Sequence, residues 1–349
     1  MRKTLLFLAL LMLVLSYGQN NKSVLDGARQ LIDSRPEKAI QIAENVLHKA
    51  NNDQTKIVAL TIIINAEMFL EKSRDVIDHC NLAIKLARKG KYTYQEIKVL
   101  SMLGSHYQTM MLNESAKKYL DKAENMMDSI KLPDSLYYVK GNLYNVKGMV
   151  FREELNCEFA LKYFDKALDV YQQQTGSRIS IINQALINIQ KGSCLISEGR
   201  LANAQECFEK VLDADFDFGF NRYYAKICLA EILLKQNKPK EAADLLAGIP
   251  VREIEKEDLE LSSLYDLAMS NLSNAKNDMP AFHLHMEKYA ASIKDVNKKR
   301  SRMISQLVYD SDVKFKKSLD NNQRAYLLIV VSVVICALIL LFTVRKLLS

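Results

Sequence analysis

Apolar residues recur along this chain at helical spacing, and the pattern itself repeats. A small residue is followed 12 positions later by Ala, then by apolar residues 4 and 7 positions beyond. Gly27, Ala39, Ala43 and Val46 open the series. Gly104, Ala116, Leu120 and Ala123, then Gly148, Ala160, Phe164 and Ala167, carry it through the middle. Gly192, Ala204, Phe208 and Val211, then Ala230, Ala242, Leu246 and Ile249, continue it. Ile64, Val76, Cys80 and Ala83 keep the spacing with bulkier residues, and Ser270, Phe282, Met286 and Tyr289 close it more weakly. Positions 4 and 7 apart lie on one stripe of a helix. A small residue on each of two helices lets their axes approach to the short end of the roughly 8–10 Å range. Turn-formers at Ser34-Arg35-Pro36, Asn113, Gly199 and Asn237-Lys238-Pro239 separate the stripes. Each unit therefore predicts a helical hairpin with one apolar edge that only a neighbouring hairpin buries.

Both ends of the chain break this pattern. Arg2 and Lys3 precede an unbroken apolar run from Leu5 to Leu15, then Ser16-Tyr17-Gly18. A basic start, a short greasy run and small residues before a cut read as a signal peptide over 1–18. Residues 325–344 carry no charge, between Arg324 on one side and Arg345 and Lys346 on the other. Twenty residues at 1.5 Å each suit a bilayer, so a single transmembrane helix is expected there, with a short cytoplasmic tail over 345–349. After Pro280 neither Gly nor Pro recurs, which predicts a nearly continuous helix from the last hairpin onward.

Charge changes this picture only at the ends. The net of +7 comes from 48 basic and 41 acidic residues. Residues 294–324 hold nine basic and four acidic side chains, and the body between the two ends is close to neutral. A nucleic-acid binder needs a basic face on its folded domain, so that class is excluded. The basic segment reads as a solvated juxtamembrane stalk, with a dimeric coiled coil or contact with anionic lipid as alternatives. Its cations oppose the positive-inside tendency, but long domains translocate largely regardless of charge. The expected location is therefore the bacterial inner membrane with the repeats in the periplasm. A tail-anchored protein with cytoplasmic repeats is the alternative.

The repeat resembles the tetratricopeptide family. The fullest matches are Leu103-Gly104 with Tyr107, Ala116, Leu120 and Ala123, and Gly148 with Phe151, Ala160, Phe164 and Ala167, and the likeness covers about residues 20–293. The markers Ala39, Val76, Ala116, Ala160, Ala204, Ala242 and Phe282 stand 37, 40, 44, 44, 38 and 40 apart. The family pitch is about 34, so longer helices or loops absorb the excess. The resemblance implies an all-α, right-handed solenoid of about seven hairpins over 19–293. A helical stalk over 294–324 and the transmembrane helix over 325–344 would follow.

Little in the chain carries chemistry. His283 and His285 are two apart on a helix and cannot share a metal, and His48, His79 and His106 come from different hairpins with no ligand spacing. No Cys-x-x-Cys occurs among Cys80, Cys157, Cys194, Cys207, Cys228 and Cys336; Cys194 pairing with Cys207 or Cys228 is one option. Asp213-Ala214-Asp215-Phe216-Asp217-Phe218-Gly219 begins like a calcium loop but has Phe218 where Gly is required. It reads as a helix-ending turn. No Walker loop, nucleophile elbow or zinc-protease helix appears. No enzyme, metal site or cofactor is expected.

Repeat solenoids bind through the concave face formed by the first helix of each hairpin. Between the packing positions there stand Ser101, Ser105 and Gln108, Asn142, Asn145 and Arg152, and Ile189 and Ser193. Amides, hydroxyls and one guanidinium suit an extended peptide whose backbone needs hydrogen-bond partners. The basic clamp with which some family members hold a C-terminal carboxylate is not visible. The expected function is a membrane-tethered, non-enzymatic scaffold for a protein or peptide partner. The alternative rests on layout: signal, repeats, stalk and membrane helix resemble the sensor half of bacterial regulators and sensor kinases, here without a cytoplasmic output domain.

Overall fold

The computed structural model describes residues 21–174, 176–214 and 219–348, with side chains left out over 310–325, 330–331 and 333–348. The signal peptide read over 1–18 and the acidic stretch 215–218 lie outside the described residues. Helices follow one another in pairs: α1 (21–30) with α2 (Pro36–Lys49), α3 (Asp53–Phe69) with α4 (Ser73–Gly90), and α5 (Thr93–Thr109) with α6 (Asn113–Asp128). Next come α7 (Tyr137–Glu154) with α8 (Cys157–Gln172), α9 (Arg178–Ser197) with α10 (Leu201–Asp213), and α11 (Phe220–Lys235) with α12 (Pro239–Ala247). A short α13 (Val251–Glu257) leads into α14 (Leu259–Ala275), whose partner is the start of α15 (Met279–Leu348).

Local chemistry sets where these helices begin and end. The side chains of Asn52, Asn156 and Asp258 accept from the backbone N–H groups of Thr55, Phe159 and Leu261 at 2.7, 3.2 and 2.9 Å. Each satisfies a donor that the helix itself cannot pair. Pro36 and Pro239 open α2 and α12, where a missing N–H costs nothing. The turn inside a hairpin uses one backbone device repeatedly. Glu71, Met111, Asn237 and Asn277 take positive φ near 60°, and Gly199 does so at 73°. Only Gly199 adopts that conformation without a Cβ penalty.

The stripes read from the sequence are buried in the second helices: Ala39, Ala43 and Val46; Val76, Cys80 and Ala83; Ala116, Leu120 and Ala123; Ala160, Phe164 and Ala167; Ala204, Phe208 and Val211. The first helices bury residues around most of their circumference, as Ile57 to Glu67 of α3 do, because a neighbour lies on either side. Glycine is required where the two meet. A Cβ at Gly148 would stand 2.5 Å from the Phe164 ring, at Gly192 2.5 Å from Phe208, and at Gly104 2.6 Å from Leu120. Gly27 differs: it is exposed with nothing within 4 Å, and the neighbouring Ala28 is the buried small residue. One apolar cluster runs from α3 to α11, flanked by a cluster over α1–α3 and another over α11–α14. The all-helical stack of hairpins therefore stands.

The chain divides into a unit ending at Arg300 and a second over Ser301–Ser349. In the second, α15 continues to Leu348, with Met303, Ile304 and Leu307 half-buried and Tyr326 to Ile329 exposed. The expectation of a transmembrane helix over 325–344 is corrected. Among the described residues no helix is long and apolar enough to cross a membrane. A span needs about 20 consecutive apolar residues. Residues 325–344 form no separate element within the 70-residue α15, and only Tyr326–Ile329 and Ser332 of that stretch have described side chains. The claims built on that span fall with it. These are the membrane tether, the membrane as partner, the periplasmic placement at an inner membrane, the tail-anchored alternative and the cytoplasmic tail over 345–349.

Candidate functional site

The first helices of five successive hairpins send side chains into one cavity of about 260 Å³. It is lined from α5 by Gln108 and Thr109, from α7 by Met149, Arg152 and Glu153, and from α9 by Gln190 and Ser193. Tyr224 of α11, Glu260 of α14 and Arg300 of α15 complete the wall, with Met111 from a hairpin turn. In a stack of hairpins the first helices form the inner, ligand-facing surface.

Hydrogen bonds order this wall. Arg152 donates to Gln190 Oε1 at 2.5 Å, linking α7 to α9, and its guanidinium stands 3.9 Å from Glu153 Oε1. Gln108 Nε2 donates to the same Glu153 oxygen at 3.2 Å. Glu153 Oε2 is buried and has no hydrogen-bond partner among the described residues. Arg300 donates to Glu260 Oε1 at 3.3 Å. Ser193 donates to the Ile189 carbonyl at 2.9 Å, and burial pushes the Cys228 thiol up to about 12. Burial likewise holds the Tyr224 phenol well above its usual range.

Of the residues singled out from sequence, Gln108, Arg152 and Ser193 meet here. Gln108 and Arg152 are 44 apart, the interval from Ala116 to Ala160, so they occupy equivalent places on successive hairpins. Ser101 is buried and spends its hydroxyl on the Ile97 carbonyl at 3.0 Å. Ile189 belongs to the apolar core. Ser105 is half-buried on α5, and the exposed Asn142 accepts from the Tyr171 hydroxyl at 2.6 Å. Asn145 Oδ1 is buried without a partner among the described residues, outside this cavity's lining. Glu153, Gln190, Tyr224, Glu260 and Arg300 were not singled out. On α9 the wall is Gln190 and Ser193 rather than Ile189 and Ser193, a one-residue shift of face. Helical periodicity alone does not resolve that shift.

Several other polar groups pair with one another. His79 meets Glu67 and His285 meets Asp266, both at 2.9 Å. His106 is buried rather than at a surface, and burial drives its imidazole down to about 4. Lys147 is buried between Asp121, at 2.6 Å, and Glu124, over the rings of Phe151 and Tyr163. Cys157 pairs with Cys194, joining α8 to α9, and neither Cys207 nor Cys228 is the partner of Cys194. A larger cavity of about 720 Å³ lies between α8, α9 and α10, where Lys191 pairs with Asp165 and Lys210 with Glu206, and Asp169 and Arg200 also line it. Among the described residues no group of three or more His, Cys, Asp or Glu side chains is placed to hold a metal.

No family model and no curated protein matches the chain. Solved structures do. The apo form of the quorum sensor NprR from B. thuringiensis is similar at 13% identity, over 79% of this chain and 87% of that one, with a TM-score of 0.55. NprR in complex with its cognate peptide NprX is similar at 15% identity over 82% of each chain, with a TM-score of 0.53. The fold is tetratricopeptide-like. A signal-transduction ATPase with a tetratricopeptide repeat sensor from Pyrococcus horikoshii gives a TM-score of 0.50 at 14% identity, over 83% of this chain and 49% of that one. At these identities the likeness shows the fold alone. Among the described residues, the polar groups of this solenoid form cavity walls and ion pairs.

Proposed function

We propose that this chain is a non-enzymatic receptor that takes a peptide, or an extended segment of a protein, on the face formed by its first helices. It would act as the sensory part of a signalling assembly. One observation carries the reading: five successive hairpins converge on one polar-walled cavity, which holds Arg152, Gln190 and an oxygen of Glu153 that has no partner among the described residues. Hydrogen-bonding side chains spaced along a groove suit an extended backbone, whose N–H and C=O groups otherwise go unpaired. The likeness to a quorum sensor, and to that protein in complex with its cognate peptide, supports the same use of the fold.

A photo-crosslinking residue placed at Gln190, and as control at the exposed Lys162 of α8, tests this reading. In cells, a peptide or protein should be trapped at position 190 and not at 162, and Arg152→Glu should abolish the adduct. Equal trapping at both positions, or trapping untouched by the charge reversal, refutes it.

A further inference from the structure

The start of α15 meets the rest of its unit through a half-buried apolar stripe and a row of polar contacts. Its apolar stripe, Phe282, Met286, Tyr289, Ile293 and Val296, is half-buried rather than buried. Its polar side chains reach α13, its own partner α14 and, through Lys299, the second hairpin. His285 meets Asp266 at 2.9 Å, Lys288 meets Glu255 at 3.6 Å, Arg300 meets Glu260 at 3.3 Å and Lys299 meets Glu71 at 2.5 Å. Glu260 opens α14 of the seventh hairpin, whereas Glu71 sits in the turn of the second. This segment, a strap, therefore ends with two adjacent cations, Arg300 on a carboxylate of its own hairpin and Lys299 on one of the second. One of the two, Arg300, forms part of the wall of the first-helix cavity.

Without Arg300 that wall holds two carboxylates, Glu153 and Glu260, against one guanidinium, Arg152. Arg152 already donates to Gln190 and lies beside Glu153. Glu153 keeps a buried oxygen that lacks a donor among the described residues. Such a site attracts a cationic side chain and repels an anionic one. Its roughly 260 Å³ falls below the roughly 300–1,000 Å³ of sites that enclose a whole small molecule, so it suits one anchoring side chain of a longer ligand.

We infer, resting on the peptide-receptor reading, that the ligand of this face is a basic peptide segment with adjacent Lys or Arg residues, and that Lys299 and Arg300 of the chain's own α15 are its resident competitor. Ion pairs this exposed contribute little each, so a ligand offering the same chemistry displaces them. Occupancy of the cavity and release of the strap are then one equilibrium.

The test uses the full chain and fluorescein-labelled hexapeptides, one centred on Lys-Lys-Arg, one on Glu-Glu-Glu and one uncharged, read by anisotropy at low salt. The basic peptide should bind the wild-type chain weakly, and Lys299→Ala/Arg300→Ala about 5–150-fold more tightly. Adding Glu153→Gln, which preserves side-chain size, should return binding to the wild-type level or below. A urea-unfolding midpoint unchanged by that substitution shows that the fold is intact. No gain in the double variant, or binding indifferent to Glu153→Gln, overturns the inference. Binding of the acidic or uncharged peptide, lost on Arg152→Glu, also overturns it but leaves the groove reading intact. Failure of every form to bind any peptide sinks both.

Discussion

The middle hairpins and the last one follow the same spacing but are held by different forces. In α7/α8 and α9/α10, a glycine faces a fully buried phenylalanine: Gly148 against Phe164 and Gly192 against Phe208. In α14/α15, Ser270 stands where the glycine would, and Phe282, Met286 and Tyr289 are only half-buried. There His285, Lys288, Lys299 and Arg300 add polar contacts to the half-buried stripe. Burying a large apolar side chain is worth about 1.5–3 kcal/mol, whereas an exposed ion pair is worth about 0–1 and weakens with salt. The middle of the stack is therefore a fixed frame, and the strap is the element that a ligand or a change of salt moves.

The sharpest break would come from emptying the frame. Phe208→Ala should destabilise the protein by about 3–5 kcal/mol in urea unfolding, because Ala204, Val211 and α9 cannot collapse into the space left. A loss below about 1 kcal/mol would mean that the frame is not close-packed. His106 comes next, since it lies in the same frame, 3% exposed, with Nε2 unpartnered among the described residues. Burial lowers its folded value to about 4 from 6.5. The unfolded chain therefore takes up the proton first, and stability is intact above pH 6.5 and lost as pH falls towards 4. The loss should approach about 2–3 kcal/mol. His106→Gln should flatten that slope, and an unchanged pH profile would show that another group carries it.

Overfilling the frame should cost less. Gly148→Ala puts a methyl against the Phe164 ring, for a net destabilisation of about 1–2 kcal/mol after the helix-propensity gain from Ala. The same change at the open Gly27 should be neutral or stabilising. Equal effects at the two glycines would contradict the packing argument. Smallest of all, Lys299→Ala/Arg300→Ala should change global stability by less than about 1 kcal/mol. Amide exchange over 279–300 should nevertheless accelerate, and 0.5 M salt should reproduce the effect in the wild-type chain. No change in exchange would mean that the half-buried apolar stripe, not charge, holds the strap.

Much of this fold was legible in the residues. The stripe positions of α2, α4, α6, α8 and α10 depend only on helical geometry and side-chain size, and Gly104, Gly148 and Gly192 announce where two helices touch. The reading slipped where that logic has no purchase. Gly27 keeps the interval but not the role, since the adjacent Ala28 is the small residue buried there. Residues 325–344 have the composition of a membrane span, but composition alone did not establish one. On the first-helix face Gln108, Arg152 and Ser193 line the cavity, whereas Ile189 turns into the core and Gln190 takes its place on the wall.

The order of local choices was written in the sequence: which segments coil, which edge of each is greasy, and where a missing Cβ admits a neighbour. Those depend on interactions within a few residues, or on a repeat that any pair of hairpins must satisfy. Only the stacked structure decided that Cys157 finds Cys194, that Glu153 is left with an unpaired oxygen, and that Lys299 and Arg300 come back to Glu71 and Glu260. Such contacts join residues up to 228 positions apart, as Glu71 and Lys299 are. They depend on how the rotations of successive hairpins add up, and no single hairpin records that sum.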